Sequence, residues 1–156
     1  MVLTKQQVKR LFDSSNRLYQ SPDHTVVSDG RLVMPFNLLA PNSLGGKPIL
    51  ASTALIQYTK ELPASEYTRF QATPLSIQGS ILYVSSDFDL VAINQEYVSV
   101  LAINSVRRYS KDPLSILVSD SDGALIYGVM PCKIDFRSKV MEPILTAIFI
   151  ATRGGV

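Results

Sequence analysis

At 156 residues the chain has room for one ordinary domain and not for two comfortable ones. A hydrophobic share of 46% supports a buried core and argues against disorder, and 18% charged residues is below the usual globular share. The formal charge of +2 is too small to imply nucleic-acid binding by itself, so any such role has to rest on local clustering. A single cysteine, Cys132, excludes an intramolecular disulfide and a cysteine-built metal site. The N-terminus holds no apolar core of signal-peptide length, and the longest apolar run, 144–151, is far short of a membrane span. A cytoplasmic setting without membrane association is expected.

Thr4 with Gln7 three residues later is a capping-box pattern ahead of an amphipathic run, which predicts a first helix over about 4–20. Val8, Leu11, Phe12, Leu18 and Tyr19 fall near one stripe of it and should face the core. Ser21-Pro22-Asp23 ends it, since the residue before a proline avoids the helical region. Two short apolar runs, 25–27 and 31–34, then flank Ser28-Asp29-Gly30, which reads as a hairpin. Two prolines and a Gly-Gly pair make 40–48 a loop. The stretch 49–62 fits a helix or a strand equally.

Residues 75–94 read as two or three antiparallel strands with turns near Gln78-Gly79 and Ser86-Asp87. The run 95–106 is expected to be a second helix carrying Tyr97, Val98, Leu101 and Ala102, followed by Arg107 and Arg108. Residues 114–118 and 125–129 make a second hairpin around 119–123. Its sequence through Pro131 faintly echoes Val27 to Pro35 of the first hairpin. The tail after Asp135, with Pro143 in it, reads as a helix, with a strand as the alternative. The fold class these elements imply is α+β, mainly antiparallel sheet with two or three helices.

Little here points to chemistry. Nucleophilic catalysis needs a nucleophile, a base in reach and an orienting group. The sole histidine, His24, reads as an ordinary loop residue, and Cys132 reads as packing in an apolar strand. Asp120 and Asp122 with Gly123 lack the downstream glutamate of a calcium loop and suit a turn. Asp87 and Asp89 would share one face if that segment were a strand, which makes an acid–base or metal pair, or simply a solvated strand end. No phosphate-cradling glycine loop is present. No catalytic residue, metal ligand or cofactor is assigned, and the chain is read as non-enzymatic.

The basic residues carry more. Lys5, Lys9, Arg10 and Arg17 lie on one broad side of the first predicted helix, and Arg107 and Arg108 close the second. Phosphate contact needs only positive charge at such spacing. The alternative is a solvated helix face. No aromatic residues interleave with these charges along the chain, so base stacking is not indicated.

Three pieces occur in one order. Leu90-Val-Ala-Ile-Asn-Gln-Glu-Tyr-Val98 runs from strand into helix, Asp112-Pro-Leu-Ser115 opens a strand, and Leu125-Ile-Tyr-Gly-Val-Met-Pro-Cys-Lys-Ile134 closes the unit. This series resembles the last domain of the bacterial DNA sliding clamp. Clamp domains consist of two strand-helix-three-strand units whose helices face a DNA-filled hole. The resemblance implies a clamp-like domain over 1–134, with 135–156 as an extension packed on it, and Lys5, Lys9, Arg10, Arg17, Arg107 and Arg108 facing duplex DNA. It also implies an apolar cleft for a protein partner at Val129, Met130, Pro131, Cys132 and Ile134. One domain cannot encircle DNA, so a homo-oligomer is expected. The function implied is a non-enzymatic clamp that tethers a partner such as a polymerase. The alternative is a small protein–protein interaction module with no DNA role.

Overall fold

The computed structural model describes residues 2–12, 17–59, 66–109, 117–121 and 124–132, together with positions 143, 146, 147 and 150. The fold is α+β and mostly antiparallel, as expected from the sequence. Helix α1 (Lys5–Leu11) leads into β1 (Leu18–Gln20), β2 (Val26–Ser28) and β3 (Leu32–Pro35). After β4 (Ile49–Ala51) come β5 (Tyr67–Ile77), β6 (Ser80–Ser85) and β7 (Leu90–Asn94). Helix α2 (Gln95–Leu101) then leads into β8 (Ser105–Tyr109), β9 (Leu117–Ser121) and β10 (Ala124–Val129). The ten strands among the described residues form one sheet in the order β4-β1-β2-β3-β10-β9-β8-β5-β6-β7. Of these neighbouring strands, β1 and β4 run parallel and the others antiparallel.

This order contains an internal duplication. A helix followed by three strands occurs twice, as α1-β1-β2-β3 and as α2-β8-β9-β10. The two strand triplets meet through an antiparallel β3–β10 contact, Leu32 opposite Val129 and Val33 opposite Gly128. The two hairpins whose sequences echo each other are therefore the two that flank this junction. Beyond β10, the Cys132 amide donates to the Ala92 carbonyl of β7 at 2.8 Å, so the chain returns to the far end of the strand order.

Both helices are seven residues long and begin at a side-chain cap. At α1 the capping box read from sequence is complete: Gln7 N donates to Thr4 Oγ1 (3.2 Å) and Thr4 N donates to Gln7 Oε1 (2.9 Å). At α2 the Glu96 amide donates to Asn94 Oδ1 at 2.9 Å. Val8 and Leu11 of α1, and Tyr97 and Leu101 of α2, enter one core with Leu18, Val27, Leu32, Met34, Phe70, Tyr83, Val106 and Val129. Strand alternation sends the intervening residues to the other face. There Val26, Val33, Tyr109 and Val118 pack with Leu55 and Tyr58 of a 3-10 helix, Thr53–Thr59. The ambiguous stretch 49–62 thus begins as a short strand and continues as a 3-10 helix.

Two helix boundaries differ from expectation. The first helix stops at Leu11 instead of running to about residue 20, and Phe12 is already extended (φ −95, ψ 121). Leu18 and Tyr19 are strand residues paired with β2 and β4. The second helix stops at Leu101 because Ala102 turns left-handed (φ 52, ψ 51), and residues 105–109 are β8. The hairpin turns agree with the sequence. Gly30 sits at φ 93 in a turn locked by Asp29, whose Oδ1 accepts from the Arg31 and Leu32 amides at 2.9 and 3.0 Å. Nothing would touch a side chain at Gly30, so its need for glycine is conformational. Gln78 and Gly79, at φ 50 and 76, give the paired positive angles of a tight β5–β6 turn.

In the tail, the described positions 143, 146, 147 and 150 are helical and exposed. No helix among the described residues is long and apolar enough to cross a membrane. Because Phe70 is fully buried in the core shared by both helices, Phe70→Ala should cost about 3–5 kcal/mol in denaturant unfolding. Removing the exposed cap with Thr4→Ala should cost only about 1 kcal/mol in the same assay.

Candidate functional site

The two helices lie side by side on one face of the sheet. Arg10 of α1 binds Glu96 of α2, with Nη2 at 2.8 Å and Nε at 3.0 Å from the same carboxylate oxygen. Both side chains are about half exposed, 51% and 55%, so the pair orients the helices more than it stabilises them. It also neutralises one of the expected DNA-facing charges. Lys5 and Lys9 stand exposed on α1, and Arg17 is exposed just before β1 instead of on a helix. Aligned on their caps, α1 and α2 place Gln95, Ser99 and Val100 where α1 has Lys5, Lys9 and Arg10. The positive charge therefore belongs to the first helix alone.

Arg107 and Arg108 lie on β8, not at a helix end, and alternation puts them on opposite faces. The Arg108 guanidinium covers the Phe70 ring at 5.1 Å. Arg107 pairs in register with Arg69 of β5, on the face away from α1 and α2. Opposed like charges there are tolerated because Tyr67 supplies a ring to both, at 4.7 Å from Arg107 and 5.9 Å from Arg69. Tyr109 extends the cluster, 5.9 Å from Tyr67. Aromatic and basic residues thus interleave across two strands, an arrangement that the linear order of the chain conceals.

The residues expected to form a partner cleft are dispersed. Val129 is fully buried in the core under the helices, while Met130 is 42% exposed, its amide donating to the Arg31 carbonyl at 2.8 Å. Pro131 and Cys132 are half-buried, and Cys132 packs with Leu82, Val84 and Ala92. Ile134 lies outside the described residues, as do Asp122 and Gly123. The chain matches no known family model, curated protein or solved structure.

Candidate chemical groups stand apart. Asp87 and Asp89 are exposed in the β6–β7 turn and so do not share a strand face. His24 is in the β1–β2 turn, whereas Cys132 pairs with β7. Among the described residues no three His, Cys, Asp or Glu side chains cluster as metal ligands would. Asp23, beside His24, braces the turn. Its Oδ1 accepts from Ser21 Oγ (2.6 Å), Thr25 Oγ1 (2.7 Å) and Thr25 N (3.1 Å). The Ser21 hydroxyl, then that of Thr25, holds the carboxyl below its usual value.

A different apolar cleft does exist. Val8, Phe12 and Leu18 form its floor with Leu44 of the 41–46 turn, and Lys5, Lys9 and Lys47 stand around it.

The arginine cluster and the Asp23 turn each give a measurable outcome. Tyr67→Leu should destabilise the domain by about 1 kcal/mol at low salt and by less at high salt, where the arginine pair is screened. Because the Asp23 carboxyl is depressed in the folded state, the 21–25 turn is supported at neutral pH and loses that support as pH falls through the lowered value. The Thr25 amide resonance should follow this titration, and Asp23→Asn should abolish it.

Proposed function

We propose that the chain is a non-enzymatic tether whose copies associate around duplex DNA and carry a protein partner such as a polymerase. The observation that supports this reading is the duplicated helix-three-strand unit with both helices against one sheet face, the plan that clamp domains share. Lys5 and Lys9 on α1, with Arg17 at the start of β1, are the residues suited to phosphate contact without base reading. Binding of this kind is driven by counterion release and is indifferent to sequence.

The test combines sedimentation with a salt titration on duplexes of unrelated sequence. An oligomer large enough to ring a duplex should form, and affinity should fall steeply with salt. Lys9→Glu should lower the slope of log affinity against log salt by about one or more, and Glu96→Gln, which releases Arg10, should strengthen binding. A strict monomer, or binding indifferent to both changes, overturns the reading.

One observation favours a second reading, a protein-interaction module with no DNA role. Arg10 is already matched by Glu96, and the exposed side of α2 carries no cation. On that reading exposed apolar groups such as Met130 control partner capture, so Met130→Asp abolishes it and Lys9→Glu leaves it intact.

A further inference from the structure

The apolar cleft beside α1 has room for one side chain. Its free volume is about 160 Å³, the scale at which a single aromatic ring fits. Its wall includes Ser43, only 6% exposed, whose amide donates to the Ala40 carbonyl at 3.2 Å. The Ser43 hydroxyl makes no hydrogen bond among the described residues. A buried hydroxyl without a protein partner is costly unless water or a polar group arriving from outside meets it, so it can receive a hydrogen bond from a docked ligand or donate one to it. Two exposed lysines, Lys5 and Lys9, with half-buried Lys47, make the surroundings positive. The ligand that fits is an aromatic side chain flanked by carboxylates.

The chain carries such a group at the other end of its sheet. In the β6–β7 turn, Phe88 stands between Asp87 and Asp89, both exposed. Phe88 is 44% exposed and held at φ 65, a left-handed angle that a bulky residue rarely adopts. Its amide donates to the Ser85 carbonyl (3.0 Å), and the Asp89 amide donates to Ser85 Oγ (3.0 Å), so the turn is fixed. Strand β7 separates this tip from α2 by about 16 Å of extended chain. In the strand order the tip belongs to the β6-β7 end, whereas the cleft lies beside β1, at the β4-β1 end.

We infer that the Asp87-Phe88-Asp89 tip of one copy docks into the Lys5–Lys9–Lys47 cleft of a second copy. Phe88 fills the apolar floor, the two carboxylates meet lysines, and Ser43 gains a hydrogen-bond partner. The contact is head-to-tail: a dimer still presents one tip and one cleft to further copies, so assembly continues into a ring or a filament. This rests on the self-association half of the proposed function; two carboxylates engage two of the three cleft lysines, and phosphate contact in the assembly falls to the remaining lysine and Arg17.

The test is sedimentation of the full chain without DNA. Phe88→Ala and the double change Lys5→Glu/Lys9→Glu should each weaken association at least about thirtyfold, as loss of an anchoring contact does. Circular dichroism should show both variants folded. An equimolar mixture should then form a 1:1 pair and nothing larger, because the first variant keeps its cleft and the second keeps its tip. Wild type that stays monomeric overturns both this contact and the self-associating tether. Wild type that associates while Phe88→Ala associates equally well, or variants that fail to pair when mixed, overturn this contact alone.

Discussion

The antiparallel contact between β3 and β10 is the constraint on which the remaining structure depends. It joins residues 32–33 to residues 128–129 and is the junction between the two helix-three-strand units. Without it neither unit has a complete core, because Leu32 and Val129, opposite each other, belong to the same cluster as the buried faces of α1 and α2. Seven-residue helices are far below the length at which a helix persists alone in water. Their stability has to come from this shared core. A contact so distant in sequence forms only after a large loop has closed, so the fold is of the slow, high-contact-order kind.

The two units are alike in backbone and unlike in charge. Thr4 and Asn94 cap the helices, Val8 and Val98 share one helical position, and Leu11 and Leu101 share another. The positions between them diverge: lysine and arginine in the first unit become glutamine, serine and valine in the second. What the second unit contributes instead is Glu96, which turns an α1 arginine toward its neighbour. The core positions obey a common packing requirement, while the solvent positions are free to differ. The molecule is therefore a duplicated scaffold with an asymmetric surface, and an asymmetric surface suits contacts between unlike faces.

Elements specified by local chemistry were legible in the sequence. The Thr4–Gln7 box, the Asp29-Gly30 turn, the 40–48 loop and the strand run ending at Asn94 each depend on residues a few positions apart. Helix ends were less legible. Leu18 and Tyr19 suit a helical stripe, yet pairing with β2 and β4 makes them strand, a case of tertiary contacts overriding periodicity. Ala102 ends α2 in a conformation for which glycine is the usual marker, so nothing local announced the stop. Arg69 and Arg107 were invisible as a pair because only sheet register brings them to one aromatic ring. The cleft beside α1 was equally hidden, since it needs β1 and the 41–46 turn to converge on Val8 and Phe12.

Phe88 and Ser43 share a physical problem with opposite signs. A left-handed phenylalanine costs about 1–3 kcal/mol and leaves apolar surface in water, where glycine or asparagine would sit with less strain. A buried hydroxyl without a partner costs a comparable amount. The tip is the β6–β7 turn and the cleft is built by α1, β1 and the 41–46 turn, and within one copy Phe88 stays 44% exposed. A partner surface that is apolar, anionic and hydrogen-bonding would satisfy the hydroxyl. A surface that is apolar and cationic would cover the ring and use the strained turn that presents it. The tip and the cleft meet these two descriptions, so one contact between copies answers both unfavourable features at once.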